Sequence, residues 1–156
     1  MTTTAIDSSN PHAPSTAAPT APAQAPGVSS KALWAGRILS GLAVLFLTFD
    51  ASMKLLASPE AVEGTTSLGY PASVLFGLGV VQILCLIAYV VPRTALLGAI
   101  LWTGYLGGAI ATHVRVGNPL FSHVLFPIYV AAFIWAGLWL RDPRVRAVFP
   151  WLRRPS

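Results

Sequence analysis

The stretch Ala72–Val91, with the sequence ASVLFGLGVVQILCLIAYVV, contains twenty consecutive residues without a charged side chain. A helix of about 20 apolar residues crosses the hydrocarbon core of a bilayer, which is about 30 Å thick. Pro71 precedes the stretch and Pro92 follows it. Proline suits the first turn of a helix and disfavours helical backbone at the residue before it. The stretch therefore predicts a transmembrane helix with a turn at each end.

Three further apolar runs flank this stretch and are also close to the length of a membrane span. The turn between the second and third runs, at 91–94, is so short that these two helices must be antiparallel neighbours. Asn118 is predicted to cap the last helix, with Pro119 in its first turn. The sequence thus predicts an all-α fold, a four-helix transmembrane bundle, with helices over about 32–56, 72–91, 94–113 and 119–140.

The two ends of the chain differ in composition from this membrane domain, which covers residues 31–142. Residues 1–30 are mostly Pro, Ala, Thr and Ser in low-complexity order. Such a segment cannot bury enough apolar surface to offset its ordering entropy, so a disordered tail is predicted. Residues 143–156 are predicted to be a basic cytoplasmic tail, with Phe149 and Trp151 resting at the membrane interface.

The overall composition argues against a water-soluble bundle, which is the alternative for four apolar helices. The chain is 54% hydrophobic and 10% charged, whereas soluble proteins have about 25% charged residues. The net charge of +5 does not indicate nucleic-acid binding, because the basic residues form no stripe among aromatic residues. They lie at the ends of the apolar runs, as in membrane proteins.

The basic residues are distributed unequally between the two predicted sides of the membrane. One side holds only Lys54 and Arg115. By the positive-inside rule, the richer side is cytoplasmic, and both termini lie there. The abundant Ala, Pro and Arg favour a bacterial cell membrane. The eight basic residues of the richer side are Lys31, Arg37, Arg93, Arg141, Arg144, Arg146, Arg153 and Arg154.

Polar residues from three predicted helices fall at the outer end of the bundle. Asp50 and Lys54 are four residues apart, in the favourable order for an ion pair on one helix face. Tyr105 lies at four-residue steps from Ala109 and His113, so it belongs to the same stripe of its helix. The candidate polar site consists of Asp50, Lys54, Tyr105, His113, Arg115 and His123.

Ionisable residues at membrane depth are candidates for function, which favours a proton relay or a quinone-headgroup site here. Two histidines and a carboxylate are also ordinary metal ligands, but no tight spacing such as HExxH is present, and no metal is predicted. Haem between His113 and His123 is disfavoured because both lie at the membrane edge. The structural alternative is an Asp–Lys pair, Arg115 on lipid phosphate and histidines at a wet interface. No complete catalytic motif is present, so catalysis is left open.

Small residues on the third predicted helix have the four-residue spacing that allows close helix packing in membranes, and two glycines on the second helix are assigned to the same packing. The alternative for the third helix is that its small residues leave a gap for a ligand. Pro127 lies inside the last predicted helix and has no backbone N–H. The carbonyl of His123, four residues earlier, would therefore lack its helical donor, and a kink is predicted beside this histidine. The residues assigned to packing are Gly77, Gly79, Gly104, Gly107, Gly108 and Ala111.

Several strings of residues resemble the DoxX-like membrane proteins over roughly residues 32–150. They include LGYP at 68–71, PRT at 92–94, TGYLGGA at 103–109 and HxRxGxPLFxH at 113–123. The resemblance implies a four-helix membrane bundle, and the six residues of the candidate polar site match the family's polar motif. Relatives in the wider family are associated with thiosulfate:quinone oxidoreductase and with membrane oxidoreductase complexes linked to oxidative stress.

The resemblance therefore implies a subunit of a redox or quinone-linked complex, with an oxidoreductase partner or a second copy of the chain. Quinone is the candidate ligand. The alternative is a non-enzymatic membrane scaffold or a small-solute carrier, which the missing reaction motif and the packing glycines favour.

The distribution of basic residues can be tested with reporters fused to the intact chain. A fluorescent protein fused after Ser156 is expected to fluoresce, and alkaline phosphatase at the same place to be inactive, because both reporters would lie in the cytoplasm. The same enzyme inserted at Gly64 is expected to be active. Active phosphatase after Ser156 would reverse the predicted orientation.

Overall fold

The computed structural model describes residues 29–148, and this part of the chain is built from helices without strands. The predicted all-α bundle is confirmed. Most of the N-terminal tail (1–28) and the end of the basic tail (149–156) lie outside the described residues. The elements are α1 (Ser30–Leu55), α2 (Pro59–Ser67), α3 (Val74–Val90), α4 (Ala95–Arg115), a π-helical turn (Leu120–Val124), α5 (Phe126–Arg141) and α6 (Pro143–Val148).

Within residues 29–148, three segments are long and apolar enough to cross a membrane: α1, α4, and the π-helical turn together with α5. The fourth apolar helix, α3, has 17 residues and begins at Val74 instead of Ala72. Large apolar side chains cover the outside of these helices; Leu45 is 70% exposed and Phe76 67%. An apolar surface of this extent suits lipid as the surrounding medium.

The four apolar helices form a ring in which each packs against its neighbours in the chain, and α5 closes the ring against α1. Consecutive helices are therefore adjacent in space, as short connections require. The centre of the ring is filled by fully buried side chains, including Trp102, Leu47 and Ile134. The helices α1 and α4 are not neighbours, so they lie across the ring from each other.

Two close backbone contacts hold the ring at one end. A Cβ atom at Gly137 would lie 2.9 Å from the backbone nitrogen of Ser40, so α5 and α1 touch through their main chains. A Cβ atom at Gly98 would overlap the backbone of Tyr89, which brings α4 against α3. Glycine permits such contacts because it has no side chain to separate the helices.

The glycines predicted to pack were largely the wrong ones. Gly79 does pack, since its Cβ would lie 2.8 Å from the side chain of Leu55. The other predicted glycines have no atom within 4 Å of an added Cβ, so they do not hold helices together; they are Gly77, Gly104, Gly107 and Gly108. Gly36, Gly98 and Gly137 make the other close contacts, and none of them has another glycine four residues away in the sequence.

A buried hydrogen-bonded network around Tyr89 lies at the same end of the bundle. We call this end of the bundle the basic end. The Tyr89 hydroxyl donates to the carbonyl of Ile134 at 2.9 Å and lies 3.0 Å from the hydroxyl of Ser40. The guanidinium of Arg141 lies 4.9 Å from the Tyr89 ring centroid. The short helix α6 docks here through Val145, which is 1% exposed. Three helices are thereby linked through one side chain.

The last predicted helix is interrupted at its start. The π-helical turn ends with a bond from the Leu125 N–H to the Leu120 carbonyl at 2.8 Å, and α5 then begins with Pro127 in its first turn. The predicted kink is therefore a helix start, where a missing N–H costs nothing. The predicted cap at Asn118 is also wrong, because Pro119 occupies the N-cap position and the Asn118 amide contacts His113.

The contact between α3 and α4 predicts a large effect of replacing Gly98. In the variant Gly98→Val the added side chain would force the two backbones apart, which we expect to cost about 3 kcal/mol or more. Gly107→Val is the matched control on the same helix, because an added Cβ there meets open space. The unfolding temperatures of both variants and of wild type are measured in mild detergent. Equal unfolding temperatures for the two variants would show that the helices do not touch at Gly98.

Candidate functional site

The end of the bundle opposite the basic end contains a cavity of about 680 Å³; we call it the polar end. This volume is in the range of about 300–1,000 Å³ that small-molecule sites occupy. Side chains from all four apolar helices line it, and most of them are apolar. Its polar lining residues are Asp50, Lys54, Thr65, Tyr70, Gln82, Tyr105, Thr112 and His113.

Asp50 is the centre of the hydrogen bonding in this cavity. Its Oδ2 accepts from Lys54 Nζ at 2.6 Å and from Gln82 Nε2 at 2.5 Å. Lys54 lies one helical turn further along α1, as the four-residue spacing predicted. The Asp50 side chain is partly buried, and the two donors replace the part of its water that the surrounding side chains exclude. Within residues 29–148, its other oxygen, Oδ1, accepts no hydrogen bond.

Gln82 belongs to the site and was missed from the sequence. It is 1% exposed, and its Oε1 has no hydrogen-bond partner. The amide nitrogen must face Asp50, because a carboxylate accepts hydrogen bonds and cannot donate them. The amide oxygen is therefore left as an unused acceptor. The available signal was that Gln82 is the one amide side chain in the apolar run Ala72–Val91.

Tyr105 and His113 add two further polar groups from α4. The Tyr105 ring packs edge to face on buried Trp102, with 5.5 Å between the centroids, and within the described part of the chain its hydroxyl makes no hydrogen bond. His113 Nδ1 lies 2.8 Å from the amide nitrogen of Asn118. An amide nitrogen only donates, so Nδ1 accepts and Nε2 carries the proton. Both side chains can therefore offer a hydrogen-bond donor to a ligand.

The remaining two predicted site residues do not line the cavity. Arg115 donates to the carbonyl of Leu68 at 2.7 Å and lies over the Tyr70 ring, with 5.8 Å to the centroid. His123 is exposed, and its ring centroid lies 5.6 Å from that of His113. The structure thus brings the two imidazoles together without a carboxylate beside them. Among residues 29–148, no group of three His, Cys, Asp or Glu side chains could hold a metal ion.

A short helix that the sequence analysis did not predict covers the polar end. The Ser58 hydroxyl accepts from the N–H of Ala61 at 3.3 Å and caps α2, which begins at Pro59. Thr65 of this helix is 7% exposed and lines the cavity. The Tyr70 hydroxyl lies 3.2 Å from the Thr112 hydroxyl and ties the following turn to α4. The helix α2 and the turn that follows it therefore form part of the cavity wall, through Thr65, Leu68 and Tyr70.

Two of the glycines that were predicted to pack instead create part of this cavity. Gly104 and Gly108 both line it, one helical turn apart on α4. Open space lies where their side chains would be. A larger residue at either position would project into the cavity, whereas Gly107, between them in the sequence, lies outside the lining. The open space agrees with the alternative interpretation of these two glycines, a gap between helices in place of a packing contact.

The comparison with known proteins identifies the family of this chain. A family model described as the DoxX-like family matches residues 38–137. The matched segment contains four residues that line the cavity and were predicted as site residues: Asp50, Lys54, Tyr105 and His113. No curated protein and no solved structure matches the chain. With apolar helices suited to lipid and a family match over most of its length, this chain belongs to the DoxX-like family and is an integral membrane protein.

Proposed function

We propose that this chain is a quinone-binding subunit of a redox-linked membrane complex, with the headgroup held in the cavity at the polar end. The observation that carries the proposal is the lining of that cavity. It combines apolar walls with a carboxylate, an ammonium group, an amide, a phenol and an imidazole. Ionisable groups within a membrane protein are costly, and they commonly mark a site of function.

The chemistry of the lining suits a flat ring with two carbonyl groups. Quinone carbonyl oxygens accept hydrogen bonds, and Tyr105 and the Nε2 of His113 are available donors. The apolar faces of the ring suit the aliphatic and aromatic walls, which include Leu78, Leu106 and Phe126. A site of this kind, mostly apolar with a few polar groups that fix orientation, is typical of small-molecule pockets.

A redox role would require protons as well as binding. Reduction of a quinone to a quinol consumes two electrons and two protons. The electrons would come from an oxidoreductase partner, and the two protons would have to reach the ring past the polar side chains that line the cavity. Hydrogen bonds from Lys54 and Gln82 hold the Asp50 carboxylate in a fixed orientation there.

The orientation of the protein forms part of the same proposal. We place both termini and the basic end in the cytoplasm of a bacterial cell, with α3 as a fourth, short span. The polar end then faces the outside. At about 1.5 Å per residue, the 17 residues of α3 extend about 25 Å, which the adjoining turns can complete.

Two alternative functions remain. The same cavity would suit a carrier of small solutes, and a membrane scaffold would need no ligand. Binding measurements with quinone headgroups separate these functions from the proposal, because neither alternative requires affinity for such a ring. An oxidoreductase partner that is recovered with the chain in mild detergent would support the proposed complex.

Filling the cavity is expected to weaken binding of a headgroup. The purified chain in nanodiscs is titrated with ubiquinone-0 and with menadione, and binding is followed by quenching of tryptophan fluorescence. Gly104→Leu places a side chain in the cavity and should weaken binding by at least about tenfold, since about 1.4 kcal/mol of contact is lost. Gly107→Leu is the control and should bind like wild type. Failure of wild type to bind either compound would disprove the proposal.

The two histidines are expected to differ, because only one of them lines the cavity. His113→Ala removes a donor and should weaken headgroup binding by about fivefold, equivalent to about 1 kcal/mol for one hydrogen bond. His123→Ala should leave the affinity unchanged within about a factor of two. The same titration measures both variants. An equal loss for both, or no loss for His113→Ala, would mean that the imidazole of His113 does not contact the ring.

A further inference from the structure

A second hollow adjoins the cavity on the surface of the bundle that faces lipid. It is an apolar groove of about 270 Å³, and we call it the α1–α5 groove. It shares Phe46, Phe126 and Val130 with the lining of the cavity. The two spaces are therefore neighbours. The groove is lined by Leu42, Ala43, Phe46, Phe126, Tyr129, Val130 and Phe133.

The border between the two spaces includes a pair of aromatic rings. Phe46 and Phe126 meet edge to face, with 5.4 Å between their centroids. They are 40% and 44% exposed, so neither ring is fixed by packing on all sides. Such a pair contributes only about 0.5–1.5 kcal/mol beyond its burial. Separating the two rings would therefore cost little contact energy.

The backbone at Phe126 also differs from a regular helix. Phe126 is the first residue of α5 and is separated by Leu125 from the π-helical turn, which ends at Val124. π-helical turns occur often at functional sites. The regular helix is therefore interrupted next to the border between the groove and the cavity.

We infer that the ligand of the cavity carries an alkyl or isoprenoid tail, which lies in the α1–α5 groove after the headgroup has entered from the bilayer between Phe46 and Phe126. The inference rests on the proposed function and adds the tail, its location and the route. The groove contains almost no polar surface, which suits a hydrocarbon chain. At the polar end, α2 contributes Thr65 to the wall of the cavity, and Arg115 donates to the carbonyl of Leu68 in the turn that follows α2.

A tail-bearing ligand also explains why the groove and the cavity lie side by side. The headgroup needs the polar lining, whereas its tail must remain in an apolar medium. A ligand held across the Phe46–Phe126 border satisfies both conditions without placing hydrocarbon in water. A water-soluble ligand would use the cavity alone, so the length of the ligand distinguishes the two possibilities.

The test compares probes with and without a tail on two matched variants of α1. Leu42→Trp fills the groove, whereas Leu45→Trp adds the same bulk to a lipid-facing position outside it. Nanodiscs of phosphatidylcholine are titrated with ubiquinone-0 and decylubiquinone, or with menadione and phylloquinone. Leu42→Trp should lose at least about tenfold in affinity for the tailed probe and keep its affinity for the headgroup. Leu45→Trp should match wild type for both.

The outcomes separate this inference from the proposed function. Equal affinity of the two variants for the tailed probe, with headgroup binding intact, would overturn the tail site and leave the headgroup site standing. If Leu42→Trp loses affinity for both the tailed probe and the headgroup, photolabelling of the wild-type protein tests the position of the tail. A tailed quinone with an azide at its end should then label α1 near Leu42 or α5 near Phe133. Labelling confined to α3 or α4 would overturn the inference.

Discussion

Asp50 is a carboxylate within a helix bundle whose surroundings are lipid, and the polar end of the molecule is organised around it. Lys54 and Gln82 donate to the same oxygen, one from α1 and one from α3. Removing a carboxylate from water costs several kcal/mol unless hydrogen bonds and an opposite charge replace the lost solvent. The pair of donors thus fixes the side chain and links two helices. It also leaves one carboxylate oxygen and one amide oxygen free to meet a bound molecule.

The two ends of the ring differ because their side chains differ in size and polarity. At the basic end, Gly98 and Gly137 let the helix backbones touch, and Tyr89 fills the remaining space with a hydrogen-bonded ring. At the polar end, Gly79 packs on Leu55, whereas Gly104 and Gly108 face open space. Three helices can therefore pack closely at the basic end while the four helices enclose a cavity at the polar end. Close packing of α4 and the cavity lie at opposite ends of the bundle.

The sequence was sufficient for the class of fold, because twenty apolar residues without charge leave few alternatives to a membrane helix. It was also sufficient for Asp50 and Lys54, whose spacing on one helix is a local property. Contacts between helices could not be predicted from spacing along one helix. Gln82 meets Asp50 across the bundle, and the roles of Gly98 and Gly104 depend on which helix faces each of them. Spacing alone cannot distinguish a glycine that admits a backbone from one that leaves a void.

The wide turn before α5 has a consequence for the rotation of that helix. A π-helical turn contains one residue more than the corresponding α-helical turn, and each residue in an α-helix turns the chain by about 100°. The turn itself packs against α4. If that packing were kept with one residue fewer in Leu120–Val124, every later position of α5 would face a direction about 100° away, and Gly137 would no longer meet α1. A single residue of local backbone geometry therefore aligns both ends of the bundle at once.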